Sequence, residues 1–273
     1  MAHGTGELID LLGGKRIAIL TGAGCSTESG IPDYRGPAAR ARVRSPIQHR
    51  DFVQSEATRR RYWARSAIGW PRMASARPNA AHVAIAELES SGRLTGLITQ
   101  NVDRLHHEAG SRNVVELHGA LSEVRCLECG ALETRDGLQR RIDELNPHFR
   151  ARDVKTAPDG DAELDAGLVD AFRVPACVAC GGVLKPDVVF FGGSVPRERV
   201  LAAFAMLDAA DVLLVVGSSL AVFSGYRFAL RAAEMRLPIA IVNRGETRAD
   251  AQAAVRVHGD AGEVLSAVAR ALC

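Results

Sequence analysis

Two Cys-x-x-Cys pairs, Cys126/Cys129 and Cys177/Cys180, constrain this chain more than any other feature, because 47 residues separate them and yet their thiolates have to meet at one point. Each pair runs into glycine, as Cys126-Leu-Glu-Cys-Gly and Cys177-Val-Ala-Cys-Gly-Gly, so the backbone can turn tightly and aim both sulfurs one way. Two such knuckles supply the tetrahedral four-thiolate set that zinc prefers. Disulfides are disfavoured because the chain start shows no export signal, and a redox motif because neither pair follows a βαβ pattern. Four protein ligands leave no open coordination position, so the expected ion, one per subunit, is structural and the chemistry lies elsewhere. Cys25 and Cys273 stand alone.

With 273 residues the chain has room for one large domain, or for a core domain carrying a smaller insertion. A net charge of +2 is too balanced for a protein that grips phosphate backbones, so nucleic acid is not an expected partner. No segment offers about 18 consecutive apolar residues and no signal peptide opens the chain, so the expectation is a cytoplasmic globule with no membrane partner and of ordinary composition, 47% hydrophobic and 24% charged; a monomer is expected.

Short β-branched runs alternate with helical segments. Buried parallel strands are expected at Arg16 to Leu20, Leu94 to Thr99, Val188 to Phe191, Val212 to Val216 and Ile239 to Val242, and helices at Glu198 to Ala209, Tyr226 to Met235 and Glu263 to Leu272. That alternation implies an α/β fold, a Rossmann-like open parallel sheet with right-handed crossovers. Two stretches break the pattern and are expected to build a smaller inserted domain: a helical module over residues 35–91 and a zinc module over residues 122–186, with residues 150–170 as a loop between the knuckles. Residues 1–34, 92–121 and 187–273 then form the larger domain.

The first strand runs into Thr21-Gly22-Ala23-Gly24-Cys25-Ser26-Thr27-Glu-Ser-Gly30, a glycine turn opening a helix. Glycines let backbone approach a pyrophosphate, and a helix start offers unpaired N–H groups, so this is a candidate phosphate cradle. Thr27 stands where the dinucleotide fingerprint wants glycine, and no acidic residue ends a second strand about 20 residues on, so a plain packing turn is the rival reading.

Taken together the motifs resemble those of the sirtuin family over nearly the whole chain. Gly22 to Gly36, through Ile31-Pro-Asp33-Tyr34-Arg35, is similar to the family's NAD-binding loop, with Tyr34 where Phe is commoner. Thr99-Gln100-Asn101-Val-Asp103-Arg104 resembles the nicotinamide pocket, with Arg104 where glycine is usual; Leu117-His118-Gly119 resembles the catalytic histidine segment. Val188-Val189-Phe190-Phe-Gly192 is similar to the stretch that pairs with substrate peptide, and Gly217-Ser218-Ser219 with Asn243-Arg244-Gly245 and Ala261 to the ribose and adenine contacts. The resemblance implies an NAD-dependent protein-lysine deacylase acting on acyl-lysine proteins, with NAD and zinc as its cofactors. His118 is then the general base and Asn101 a second catalytic residue. Gly22, Ala23, Gly24, Ser26, Thr27, Asp33, Tyr34 and Arg35 then bind the cofactor, with Arg35 facing phosphate, Gln100 the ribose, and Asn101 with Asp103 orienting the carboxamide. Imidazole titrates near neutrality, which suits a base. His82, His106 and His107 lack such context and read as structural, and Cys25 as a small buried hydrophobe.

Within the family, Pro46 to Arg65 resembles the class II branch, in which deacylase, lipoamidase and ADP-ribosyltransferase activities occur, and Tyr62 and Arg65 match its Tyr-x-x-Arg signature. At i, i+3 on a helix a phenol and a guanidinium share a face and can hold a carboxylate; a solvated basic face formed with Arg59, Arg60 and Arg61 is the alternative. Mono-ADP-ribosyl transfer and lipoamidase activity use the same residues, and the sequence does not separate them. A redox NAD enzyme lacks its acidic ribose ligand here, and a zinc-ribbon nucleic-acid binder lacks both the charge and, at 5% aromatics, the stacking platforms.

Overall fold

The computed structural model describes residues 2–33, 46–149 and 166–273. In chain order the helices are α1 (Thr5–Leu12), α2 (His49–Gln54), α3 (Glu56–Ser75), α4 (Ala80–Ser90), α5 (Leu105–Glu108), α6 (Arg135–Leu145), α7 (Ala166–Asp170), α8 (Arg197–Asp208), α9 (Phe223–Glu234) and α10 (Ala261–Leu272). The strands are β1 (Ile17–Thr21), β2 (Leu94–Thr99), β3 (Val114–Glu116), β4 (Gly119–Cys126), β5 (Leu132–Thr134), β6 (Leu184–Val188), β7 (Val212–Val216), β8 (Ile239–Val242) and β9 (Ala253–Val257). The chain divides into two compact units, Met1–Ala41 with Arg77–Leu117 and Val195–Cys273, and Arg42–Ala76 with His118–Ser194.

The first unit is built on six parallel strands in the order β3-β2-β1-β7-β8-β9. Numbered within the unit this is 3-2-1-4-5-6, the doubly wound order whose direction reverses between β1 and β7. The strands read as unbroken apolar runs because both faces are covered. Along β7, Val212, Leu214 and Val216 enter one core cluster while Leu213 and Val215 enter the other. The first cluster draws on α1, α4 and α10, the second on α8 and α9. Expected strands at β1, β2, β7 and β8 and the three C-terminal helices are present within a few residues. β9 escaped notice because its exposure alternates and Arg256 interrupts it.

The second unit carries a three-stranded antiparallel sheet, β5-β4-β6, with α2, α3 and α6. Here the expectation of a parallel strand at Val188 to Phe191 is corrected. The strand ends at Val188 and pairs antiparallel with β4, Cys126 opposite Leu184 and Val124 opposite Pro186. Pro186 gives the reason: it has no N–H to donate, which an edge strand bonded on one side tolerates. Ser55 caps α3 by accepting the Thr58 N–H at 3.1 Å, and Thr134 caps α6 from Gly137 at 3.1 Å.

Helix α4, placed by sequence in the helical module, lies in the first unit. Ala81, Ala84, Ile85 and Leu88 follow i, i+3, i+4, i+7 spacing and all enter the core cluster shared with α10. Residues 187–194 likewise fall in the second unit rather than with the large sheet, and His118–Leu121 open its β4. The loop expected at residues 150–170 lies outside the described residues up to residue 165, and closes on α7.

Candidate active site and metal centre

The first unit's glycine turn sits where β1 and β7 end side by side, the position at which doubly wound sheets bind ligands. Backbone meets backbone there: the Gly24 N–H donates to Gly217 O at 2.8 Å and the Gly22 N–H to Val216 O at 3.0 Å. A Cβ on Gly22 would lie 2.7 Å from Ser218 Cβ, one on Gly24 2.9 Å from Gly217 Cα, and Gly217 has φ +60°. No other residue fits these positions without moving the strand ends apart. Thr27 Oγ1 donates to Gly24 O at 3.0 Å, and Asp33 ends the described part of the loop; Tyr34 and Arg35 lie outside the described residues.

Below the turn, the Ser26 hydroxyl is a hub. It donates to Asp103 Oδ2 at 2.7 Å and accepts from Asn101 Nδ2 at 3.0 Å. His82 Nε2 approaches it at 3.4 Å. Because His82 Nδ1 accepts the Asn79 N–H at 3.2 Å, the neutral ring carries its proton on Nε2 and donates it to Ser26, a tautomer assigned from this bonding. Asp103 Oδ1 takes the Leu105 N–H at 3.0 Å, capping α5. Asn79 in turn caps α4 through Ala81 and donates to Cys25 O at 2.8 Å. His106 Nε2 meets Thr21 Oγ1 at 2.9 Å, and Thr21 donates to Thr99. Burial pushes the His82 pKa down, against the pull of Asp103, and pushes that of His106 well below the usual imidazole range. Burial likewise raises the Cys25 thiol, 1% exposed, out of nucleophile range, as the sequence implied. Cys25, His82 and His106 cluster closely enough for a metal, but both His82 nitrogens are spent on hydrogen bonds.

Gln100 is held by the Ser218 hydroxyl at 2.6 Å, and Gly225 leaves room for it, since a Cβ there would lie 2.5 Å from Gln100 Nε2. Further along the sheet edge, Ser219 O accepts from Arg248, Asn243 Nδ2 donates to Gly245 O at 2.7 Å, Arg244 pairs with Asp260, and Ala261 opens α10. Arg104 adopts φ +66°, a left-handed conformation that favours glycine, and its side chain lies 3.1 Å from Glu116.

In the second unit, His118 is half-buried, and its carbonyl accepts the Val189 N–H at 2.8 Å. Gly119, at φ +78°, starts β4 opposite Val188. His118 is thereby fixed beside the 188–192 segment, whose Phe190 ring packs on Phe52 at 5.2 Å and Tyr62 at 5.3 Å, and whose Gly192 turns at φ +75°. Tyr62 is buried and Arg65 half-buried on the same side of α3. Arg59 and Arg60 are spent elsewhere, on the α2 carbonyls Phe52 and Val53 and on Glu56 and Asp170.

The four cysteines converge. Their sulfurs lie within 4.8 Å of one another, Cys126 to Cys180 at 3.5 Å and Cys129 to Cys177 at 3.8 Å. A tetrahedron with Zn–S bonds of about 2.3 Å has edges of about 3.8 Å, so the set fits zinc and is too open for disulfides. Asn79, which caps α4 and holds the Cys25 carbonyl, was not singled out by sequence, though Asn-x-x-His ahead of an apolar helix is a capping-box pattern that could have flagged it; His82 was read as structural.

A model of the Sir2 family matches residues 22–224. The chain is 54% identical over 236 residues to the NAD-dependent protein deacetylase 2 of Bradyrhizobium diazoefficiens, covering 86% of each. It is 49% identical over 258 residues to the NAD-dependent protein deacylase Sirt4 of Drosophila melanogaster, covering 93% of this chain and 83% of that one. The structure of a Sir2 variant with a deacetylated p53 peptide and 3'-O-acetyl ADP ribose superposes with TM-score 0.80 at 31% identity, over 98% of this chain and 99% of that one. With its doubly wound sheet, glycine cradle and four-cysteine centre, the chain belongs to the Sir2 family, the sirtuins.

Proposed function

We propose that this sirtuin is an NAD-dependent protein-lysine deacylase of the class II branch, with His118 as general base. The observation that carries the reading is the glycine cradle at the strand-order reversal, backed by the Ser26–Asp103–Asn101 hub. NAD, when bound, supplies an ADP-ribosyl group that accepts the acyl oxygen as nicotinamide departs. Gly22, Ala23, Gly24 and Thr27 approach its phosphates with backbone, and Tyr34 and Arg35 continue that loop. Gln100, pinned by Ser218, and Ser219 face ribose; Asn243, Arg244, Gly245 and Ala261 face adenine. Asn101 and Asp103, oriented by one hydroxyl, present a donor and an acceptor to a carboxamide. His118 takes the proton of a ribose hydroxyl, for which a neutral imidazole is suited at physiological pH. Val188, Val189, Phe190 and Gly192 hold the substrate peptide, and Cys126, Cys129, Cys177 and Cys180 hold structural zinc. The deacetylase and deacylase names of relatives at 49–54% identity support this reading.

Tyr62 and Arg65 assign the acyl end. Arg59 and Arg60 are engaged by α2, Glu56 and Asp170 while Arg61 is exposed, and the phenol of Tyr62 and guanidinium of Arg65, i and i+3 on one helix face, have the chemistry to suit an acyl group ending in carboxylate. The test is one peptide carrying acetyl, succinyl, glutaryl or lipoyl lysine, assayed for nicotinamide release with wild type and Arg65→Met. Acidic acyls are expected to be preferred and to lose most in the variant; acetyl as best substrate with an equal loss for every acyl contradicts the assignment.

A further inference from the structure

Lys185 is one of three lysines among the 34 lysine and arginine residues of the chain, and within β6 it is only 9% exposed. A lysine is rarely buried unless its ammonium is paired. Here Nζ donates to the carbonyls of Val188 and, at 3.1 Å, Pro186, and it sits 4.5 Å from the centre of the Phe190 ring. All three partners belong to its own strand or to the segment that follows it. The strand pairing gives the reason. Gly119 faces Val188 and Val124 faces Pro186, so β4 places four residues, Ala120 to Glu123, where β6 has Asp187 alone. A bulge of this kind interrupts the hydrogen-bond ladder. The carbonyls that flank it lie on the buried residues Pro186 and Val188, and buried carbonyls need donors. The ammonium supplies both.

Those contacts fall where the chain leaves β6 and becomes the segment assigned to the substrate peptide. Val188 ends the strand, the Val189 N–H donates to His118 O at 2.8 Å, and the Gly193 N–H closes a turn on Phe190 O at 2.9 Å. Phe190, 7% exposed, has Phe52 and Tyr62 on its ring and the Lys185 cation over its face. The ammonium therefore fixes both the Val188 carbonyl and the Phe190 ring, the two points that set the path of the backbone between them. A compact ammonium turns separate N–H groups to two carbonyls and a ring, which the planar fork of a guanidinium does not reproduce. The residues assigned to NAD, His118 apart, lie in the first unit, whereas Lys185 and the 188–192 segment lie in the second.

We propose that Lys185 is a positioning residue for the acyl-peptide substrate: its ammonium holds the Val188–Gly192 backbone in the path that pairs with peptide, and so governs the KM for peptide and not that for NAD. The proposal rests on the deacylase reading for its substrate and goes beyond it in naming the group that shapes the pairing segment. The test compares zinc-loaded wild type with Lys185→Met, which keeps an apolar stem and loses the N–H groups, and with Lys185→Arg, which keeps a cation in planar form. The first arm needs no turnover. Hydrogen exchange read by mass spectrometry is expected to quicken about tenfold or more over 186–193 in Lys185→Met, while the β1 and β7 fragments exchange as in wild type. In the second arm the KM for acyl peptide is expected to rise about tenfold or more in Lys185→Met and less in Lys185→Arg, with the KM for NAD unchanged in both. If Lys185→Met does not retain zinc, Lys185→Arg decides by the same split between the two KM values. Unchanged exchange over 186–193, or peptide and NAD KM values that rise together, overturns the positioning role and leaves Lys185 as packing. Faster exchange with an unmoved peptide KM overturns the link to substrate. A wild type that consumes no NAD with any acyl peptide defeats the deacylase reading, and the exchange arm then decides by itself whether Lys185 holds the segment.

Discussion

The Ser26 hub and the Arg135 guanidinium, 1% exposed between the rings of Trp63 and Trp70, are both buried polar groups, and they are held in opposite ways. Around Ser26 the hydroxyl donates once and accepts twice, Asp103 caps α5 with its other oxygen, and His82 spends both nitrogens. Around Arg135 the Nε and Nη1 atoms have no hydrogen-bond partner, and two indole faces and the Ser66 carbonyl hold the charge. A satisfied network holds its members in one arrangement and so prepares a site before the ligand arrives, whereas a cation held between ring faces fixes packing. The first is expected to lose ligand geometry when a member is cut, the second to lose stability.

The largest effect expected lies outside both, in the metal that organises the second unit. Cys177→Ser, or chelation, is expected to abolish activity through loss of folding free energy, with a lowered Tm and loss of an otherwise stoichiometric zinc; fully active protein without zinc by metal analysis contradicts the closed four-cysteine centre. Next comes the base. His118→Ala is expected to lower turnover roughly 10²- to 10⁴-fold while NAD binding by calorimetry persists, and wild-type turnover removes His118 from the role.

Cutting the hub is expected to cost less. Asp103→Asn keeps the volume but removes the charge that Ser26 and the Leu105 N–H address, and about 1.5–3 kcal/mol for a charge-assisted bond implies roughly a 10- to 100-fold weaker NAD Kd. An unchanged Kd means that the network is packing only. The smallest effect is a pH slope. Burial lowers the folded pKa values of His82 and His106, so their contribution is fully present above the unfolded value of about 6.5 and is lost as pH falls below it. Each such histidine adds at most about 1.4 kcal/mol per pH unit. Urea midpoints at pH 7.5 and 5.5 measure it; His106→Gln is expected to flatten the slope, and an equal slope in the variant assigns it to other groups.

What sequence disclosed follows the same division. Fully buried parallel strands read as apolar runs, so β1, β2, β7 and β8 were legible, and thiolate pairs advertise a metal by spacing alone. β6 was misplaced because the apolar run is Val188 to Phe191, whereas the strand itself, Leu184–Val188, carries Lys185, Pro186 and Asp187. α4 was assigned to the wrong unit because amphipathic spacing shows that a face is buried and not against what. The hub's Asn79 and His82 left a capping pattern that was not taken up. Arg135 left none: one arginine of a polar-looking helix is indistinguishable by sequence from its solvated neighbours until Trp63 and Trp70 close over it.

The central claim, acyl transfer from lysine at the expense of NAD, is tested most directly by mass spectrometry of products from wild type, NAD and an acyl-lysine peptide. The account predicts nicotinamide, deacylated peptide and O-acyl-ADP-ribose in equal amounts; NADH, ADP-ribosylated peptide with its acyl group intact, or unconsumed NAD contradicts it.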